Sequence, residues 1–221
     1  MRAAVFYLPE DDDSLLYAGA SWLGRNAVTG APMPQPSPKL ACITKAPARY
    51  GFHATLKPPM HLATDLNALS RDVSLLAASL KRFPMPQLSV GFIGGALALL
   101  TNAPSPDLRN LADACVARLD SHRSAPDAAE LARRREAALS PRQKVMLQLW
   151  GYPYVFEEWQ FHMTLSSTLP AKVAAERAAW ARDHFAPSLA IEREVKSLAL
   201  LIEPQQGAGF LLAGRFSLGE K

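Results

Sequence analysis

The pattern Phe-His-x-Thr-Leu occurs twice in this chain, as Phe52-His53-Ala54-Thr55-Leu56 and as Phe161-His162-Met163-Thr164-Leu165, with 109 residues between the two histidines. The chain has five histidines in 221 residues, and two such His-x-Thr-Leu tetrads arise in roughly one shuffled sequence in several thousand. Both copies must sit in the same local structure, so the chain is expected to fold as two related passes. In an extended strand, residues i and i+2 share a face. His53 and Thr55 therefore project together, with Phe52, Ala54 and Leu56 opposite; His162 and Thr164 repeat this against Phe161, Met163 and Leu165. Arg49 and Lys57 join the His53 face if the strand is regular throughout, and Gln160 and Ser166 join that of His162.

The surroundings of the two copies have the same order of elements. Tyr50–Lys57 reads as a strand stopped by Pro58-Pro59. Asp65–Arg82 reads as a helix, with Leu66, Leu69, Val73, Leu76 and Leu80 on one face and Thr64 or Asp65 as cap. A hairpin of Gln87–Ile93 and Ala96–Thr101 follows, turning at Gly94-Gly95. The second pass reads as strand Trp159–Ser166, helix Ala171–Phe185 and strands Val195–Ile202 and Phe210–Phe216. Between the passes, Pro106–Leu119, Asp127–Leu139 and Pro141–Leu149 read as a helical insertion. Ahead of both lie a strand, Ala3–Leu8, and a helix, Ser14–Arg25, with Ser14 as its N-cap. The four prolines of residues 31–38 mark a surface loop.

The expected fold is α+β in one domain, 1–221, with two pseudo-symmetric lobes at about 40–102 and 155–217. Their mainly antiparallel sheets face a central cleft, the insertion spans about 105–150, and the 1–8 strand joins the sheets.

Histidine either gives or takes a proton near neutral pH, and threonine hydroxyls donate to phosphate oxygens. Two of each suit in-line displacement at phosphorus, one imidazole deprotonating the attacking oxygen and the other protonating the leaving one. Threonine is a poor zinc ligand and neither HExxH nor CxxC accompanies the pair, so no metal and no cofactor is expected. No GxSxG elbow and no GxxxxGK[ST] phosphate loop occurs. Arg49 and Lys57 are candidates to neutralise a phosphate, Tyr152, Tyr154 and Trp150 to stack on a base or sugar, and Tyr7 to line the cleft. His61, His122 and His184 read as structural, Arg142 and Lys144 as exposed, and Arg133–Arg135 as the solvated face of a helix.

Composition narrows the partners. A net charge of +4 suits an enzyme for anionic small molecules as well as a weak RNA binder, and only the weak charge asymmetry along the chain argues mildly against a basic RNA groove. Cys42 and Cys115 make no disulfide framework. No apolar run approaches the ~18 residues of a membrane span, and the acids after Pro9 do not suit a signal peptide. The chain is expected to be soluble and cytoplasmic.

The paired tetrads resemble the two-histidine (2H) phosphoesterase superfamily. Longer segments, RYGFHATLKPP (49–59), SPDLRNLADACV (105–116) and LSPRQKVMLQLWGYPYVFEEWQFHMTL (139–165), together with SWLGR (21–25), resemble its branch of phosphonate-metabolism proteins. The resemblance implies catalytic His53 and His162, phosphate-binding Thr55 and Thr164, catalysis without metal, and a small cyclic phosphodiester such as a ribosyl 1,2-cyclic phosphate as substrate. It leaves open which histidine is acid and which is base. An enzyme processing 2′,3′-cyclic phosphate ends of RNA and a non-catalytic phosphate-binding module are the rival readings.

Overall fold

Alternation along β1 (Arg2–Tyr7) sends Ala3, Val5 and Tyr7 into one apolar cluster and Ala4 and Phe6, with the following Leu8, into another. A strand buried on both faces belongs in the middle of a sheet. The computed structural model describes residues 1–125 and 139–220 and places β1 there. After it come α1 (Ser14–Leu23), α2 (Ala41–Ala48), β2 (Ala54–His61) and α3 (Leu66–Ala78). Then follow the two-residue strand β3 (Phe83–Pro84), the hairpin β4 (Leu88–Ile93) and β5 (Ala96–Thr101), and α4 (Pro106–Arg118). The rest comprises α5 (Pro141–Trp150), β6 (His162–Thr168), α6 (Ala171–Leu189), the short β7 (Glu194–Val195), β8 (Ser197–Glu203) and β9 (Leu211–Ser217). The expected helix at 127–139 lies, but for its last residue, outside the described residues.

Among the described residues, seven strands form one antiparallel sheet in the order β4-β5-β6-β2-β1-β8-β9. The α+β class and the mainly antiparallel pairing are as expected. Sequence order alone does not reveal that the passes are exchanged. The second-pass hairpin β8-β9 lies beside β1 and β2, and the first-pass hairpin β4-β5 lies beside β6. The helices follow their partners' hairpins, with α3 against β8 and β9 and α6 against β4.

Helices α1 to α4 and α6 pack on one face of the sheet, where Leu69, Val73 and Leu76 of α3 and Leu108, Leu111 and Cys115 of α4 join the main core. Caps set their starts. Asp13, not Ser14, accepts from the Leu15 N–H, Asp65 caps α3, and Ser140 and Gln143 form a reciprocal capping box on α5. Among the described residues no helix is long and apolar enough to cross a membrane. The Pro-rich loop is tied down by Ser21 Oγ donating to Pro34 O at 2.8 Å and Gln35 Nε2 donating to Trp22 O at 2.8 Å.

Two boundaries differ from expectation for physical reasons. Strand β2 starts later and runs through Pro58-Pro59. On one side it pairs with β1 at Lys57 and Met60, and on the other it meets β6 only at Ala54, so neither proline need donate a ladder bond. Helix α2 was hidden in the sequence by its interior Pro47 and by the prolines before it.

Where α1 meets the first motif, Gly19 lies against the face of the Phe52 ring, leaving no room for a Cβ. Gly19→Ala is expected to cost about 1–3 kcal/mol by overpacking. Because Phe52 precedes His53, activity should fall further than the unfolded fraction accounts for, as comparing the thermal midpoint with turnover would reveal.

Candidate functional site

Strands β2 and β6 are held together at a single pair, Ala54 opposite Met163. These are the middle residues of the two His-x-Thr motifs, so a local two-fold relation passes between them. This register sets Thr55 across from His162 and His53 across from Thr164, on the sheet face opposite the main helices.

Gly51 starts the geometry. It adopts φ 81°, favourable only for glycine, and a Cβ there would strike Ala27. Its carbonyl lies 2.9 Å from His53 Nδ1, and the His53 Nε2 lies 3.2 Å from Thr55 Oγ1. A carbonyl only accepts, so Nδ1 carries the hydrogen and the Nε2 lone pair accepts from the Thr55 hydroxyl. The ring is stacked on Phe6 at 3.8 Å, with Tyr50 at 6.2 Å. Burial lowers the imidazole to about 4; the Gly51 carbonyl opposes this and the charge of His162 adds to it. His53 is therefore neutral at pH 7. His162 is held in the same way, its Nδ1 2.8 Å from Gln160 O, which leaves Nε2 available to the cleft.

A cleft of about 590 Å³ opens over Thr55, His162 and Thr164, well within the range of small-molecule sites. Tyr152, Tyr154 and Trp159 supply its aromatic wall, and Gln143 and Glu158 a polar one. The Trp159 indole donates to Thr55 O at 2.8 Å, pinning this wall to β2. His53 is not part of the lining; it reaches the cleft through Thr55 Oγ1. Among the described residues no group of three or more His, Cys, Asp or Glu is arranged to hold a metal ion.

Four expected substrate contacts are elsewhere. Lys57 is only 2% exposed, and its Nζ donates to Val116 O at 3.0 Å and Asp120 at 3.2 Å. A bulge between the pairs Phe6–Thr55 and Val5–Lys57 breaks the alternation, so Lys57 turns to the helix face while Thr55 faces the cleft. Tyr7 is a core residue beside Phe161, and burial pushes its phenol up. Arg49 precedes β2 and is bound to Glu203, with Nε 3.3 Å from Ala208 O. Trp150 packs on Phe156 in a separate small cluster. Tyr152 and Tyr154 do line the cleft.

The remaining histidines do not line the cleft. His122 is buried between Thr64 and Asp72, His184 bonds Ala18 O, and His61 is exposed at the end of β2. Arg142 and Lys144 are exposed as expected; Arg133–Arg135 lie outside the described residues. Gln143 and Glu158 were not singled out from the sequence. The only signal was Ser140-x-x-Gln143 at a helix start, which by itself points to a cap and not to a cleft.

Residues 55–211 match the model of a family described as "Protein of unknown function (DUF1045)". Two curated relatives named ribose 1,5-bisphosphate phosphokinase PhnN align with nearly all of this chain. The one from Janthinobacterium sp. (strain Marseille) is 36% identical over 222 residues, 95% of this chain and 49% of that protein. The one from Laribacter hongkongensis (strain HLHK9) is 35% identical over 217 residues, 96% of this chain and 50% of that protein. The chain thus spans about half the length of these relatives. Among solved structures, that of E. coli LigT complexed with 3′-AMP superposes with a TM-score of 0.46 at 14% identity, covering 99% of this chain and 98% of that one.

Proposed function

This chain belongs to the DUF1045 family, whose description assigns no activity, and we propose that it is a phosphodiesterase opening a small cyclic phosphodiester by histidine acid–base catalysis. The observation that carries this reading is the meeting of both His-x-Thr motifs at the Ala54–Met163 pair beside a cleft of ligand size.

His53 is the base in this reading. It is neutral at pH 7 and its Nε2 has a lone pair directed at Thr55. The Thr55 hydroxyl turns its hydrogen from Nε2 to a non-bridging oxygen, and water bound beside it gives its proton to the freed nitrogen while the water oxygen attacks phosphorus. The ring P–O bond opposite breaks, and protonated His162 gives its Nε2 proton to the departing alkoxide. Thr55 and Thr164 bind the non-bridging oxygens. The product is a phosphomonoester with a freed hydroxyl, and proton exchange with solvent resets both imidazoles. No step calls for a metal.

The name of the PhnN relatives contains a ribose phosphate, which supports a ribosyl 1,2-cyclic phosphate as the first substrate to try. This chain contains no GxxxxGK[ST] loop, and we assign the phosphokinase of that name to the half of those proteins that this chain does not span.

The test is hydrolysis in EDTA of ribosyl 1,2-cyclic phosphate, nucleoside 2′,3′-cyclic phosphates and a short RNA ending in a cyclic phosphate. Turnover is expected in chelator. The acidic limb of kcat/KM should lie near about 4, where His53 gains its proton. Loss of activity in EDTA with recovery on adding zinc would overturn the mechanism, as would an acidic limb near the ordinary histidine value of about 6.5. A preference for the RNA end would move the substrate to RNA processing. Binding of these compounds without turnover would favour the phosphate-binding module.

A further inference from the structure

We propose that Glu158 and Gln143 form a recognition wall for free hydroxyls on the organic half of the substrate, and that Glu158 keeps a second phosphate out of the cleft. The inference rests on the phosphodiesterase reading and adds a substrate class to it: cyclic phosphates of neutral, hydroxyl-bearing sugars.

The backbone is shaped to deliver this side chain. Phe156 has φ 53°, the one positive value at a non-glycine residue among those described, a conformation that costs an aromatic residue free energy. Its ring is held edge-on against Trp150 at 4.9 Å. The short 3₁₀ turn that follows separates two neighbouring carboxylates. Glu157 points outward to Arg142 at 2.9 Å, while Glu158 lines the cleft.

Gln143 fixes the orientation of Glu158. Its Oε1 accepts from the Ser140 N–H at 3.0 Å, so its amide cannot flip, and its Nε2 donates to Glu158 Oε2 at 2.8 Å. Among the described residues this uses one amide hydrogen of Gln143 and one carboxylate oxygen of Glu158. What remains is the second carboxylate oxygen as acceptor and one N–H as donor, a pair that matches adjacent hydroxyls.

The charge balance of the cleft points the same way. No Lys or Arg is found among its described lining residues, and Glu158 is its carboxylate. One diester charge is matched by protonated His162 and the two threonine hydroxyls. A second phosphate against Glu158 meets a like charge and no Lys or Arg among the described lining residues to offset it. Arg109, which lies over Trp159 at 5.8 Å, lines a neighbouring pocket that shares Trp159 and Gln160 with the cleft, and not the cleft itself.

The experiment uses matched pairs: ribosyl 1,2-cyclic phosphate with and without a 5-phosphate, and adenosine 2′,3′-cyclic phosphate with and without a 5′-phosphate. For each, kcat/KM is measured by product formation and Kd by calorimetry, in wild type and Glu158→Gln. Wild type is expected to favour the member lacking the extra phosphate by about tenfold, the scale of one like-charge contact at partial solvation. Glu158→Gln should narrow that ratio by a similar factor, mostly through KM and Kd, and added salt should narrow it in wild type alone. Preference for the doubly charged member, or a ratio that Glu158→Gln leaves in place, overturns the inference. If nothing is hydrolysed, the Kd ratios decide it alone: a retained preference upholds the wall while removing the phosphodiesterase reading, and equal Kd values overturn the wall.

Discussion

Alanine at His53 or His162 is expected to reduce turnover of a cyclic phosphodiester by about 10²–10⁴-fold, because each substitution removes one of two proton transfers. The two variants should differ in stability. His162 is half-buried and, among the described residues, its ring bonds only Gln160 O, so His162→Ala should keep a thermal midpoint close to wild type. His53 is stacked on Phe6 and bonded at both ring nitrogens, so its alanine variant also loses packing. His53→Gln, which refills much of that space without a base, separates the two effects. Folded variants that retain more than about a tenth of wild-type turnover would end the acid–base assignment. The double variant should be little worse than either single one, since the groups act in one concerted step.

Glu203→Ala should produce a large loss of stability although it lies away from the cleft. Glu203 is fully buried at the end of β8, its carboxylate accepting from Arg2 at 2.6 Å, from Arg49 and from the Gly207 N–H at 3.1 Å. Removing it leaves two guanidinium groups partly buried without their anion, a change that costs about 3–5 kcal/mol for buried pairs. The lower end applies here, because the Arg49 side chain remains 34% exposed. Burial opposes ionisation of Glu203, but the Arg2 and Arg49 hydrogen bonds outweigh it and hold the carboxyl at about 2, against an ordinary 4.5. The sign follows: its contribution is complete above about pH 4.5 and is lost as pH falls toward 2. Denaturant unfolding at pH 7 and pH 3 should therefore reveal a wild-type midpoint that drops with acid more steeply than that of the variant. Equal slopes would dismiss the carboxylate as a source of acid sensitivity. Arg49 also precedes Tyr50, which packs 5.2 Å from Phe210 and near His53, so the variant should lose some turnover as well.

How much of this was legible in the sequence depended on whether local rules were obeyed. The His-x-Thr repeats, the period of Asp65–Arg82 and the Gly94-Gly95 turn are local signals, and the corresponding strands, helix and hairpin are in the structure. Lys57 was misplaced because strict alternation fails at one bulge, and nothing in Thr-Leu-Lys-Pro announces it. Pro58-Pro59 suggested a strand end because the missing ladder at the seam between β2 and β6 is a tertiary fact. Tyr7 was expected to line the cleft, yet only the fold reveals that Phe6, and not Tyr7, carries the histidine ring. The exchange of hairpins is invisible to any window of sequence. So is Glu158, which looks no different from Glu157 until the turn at Phe156 separates them.

The exchanged hairpins also govern how the protein comes into being. β1 pairs with β8, whose residues lie nearly two hundred positions later, and β2 reaches its final place only in that layer. Such long loops make closure slow. On the ribosome, the first histidine emerges long before the strands that complete its half of the sheet. Either pass on its own would lack the hairpin that the other supplies. In the joined chain that partner is built in, and each half completes the sheet of the other instead of leaving an edge open to strangers.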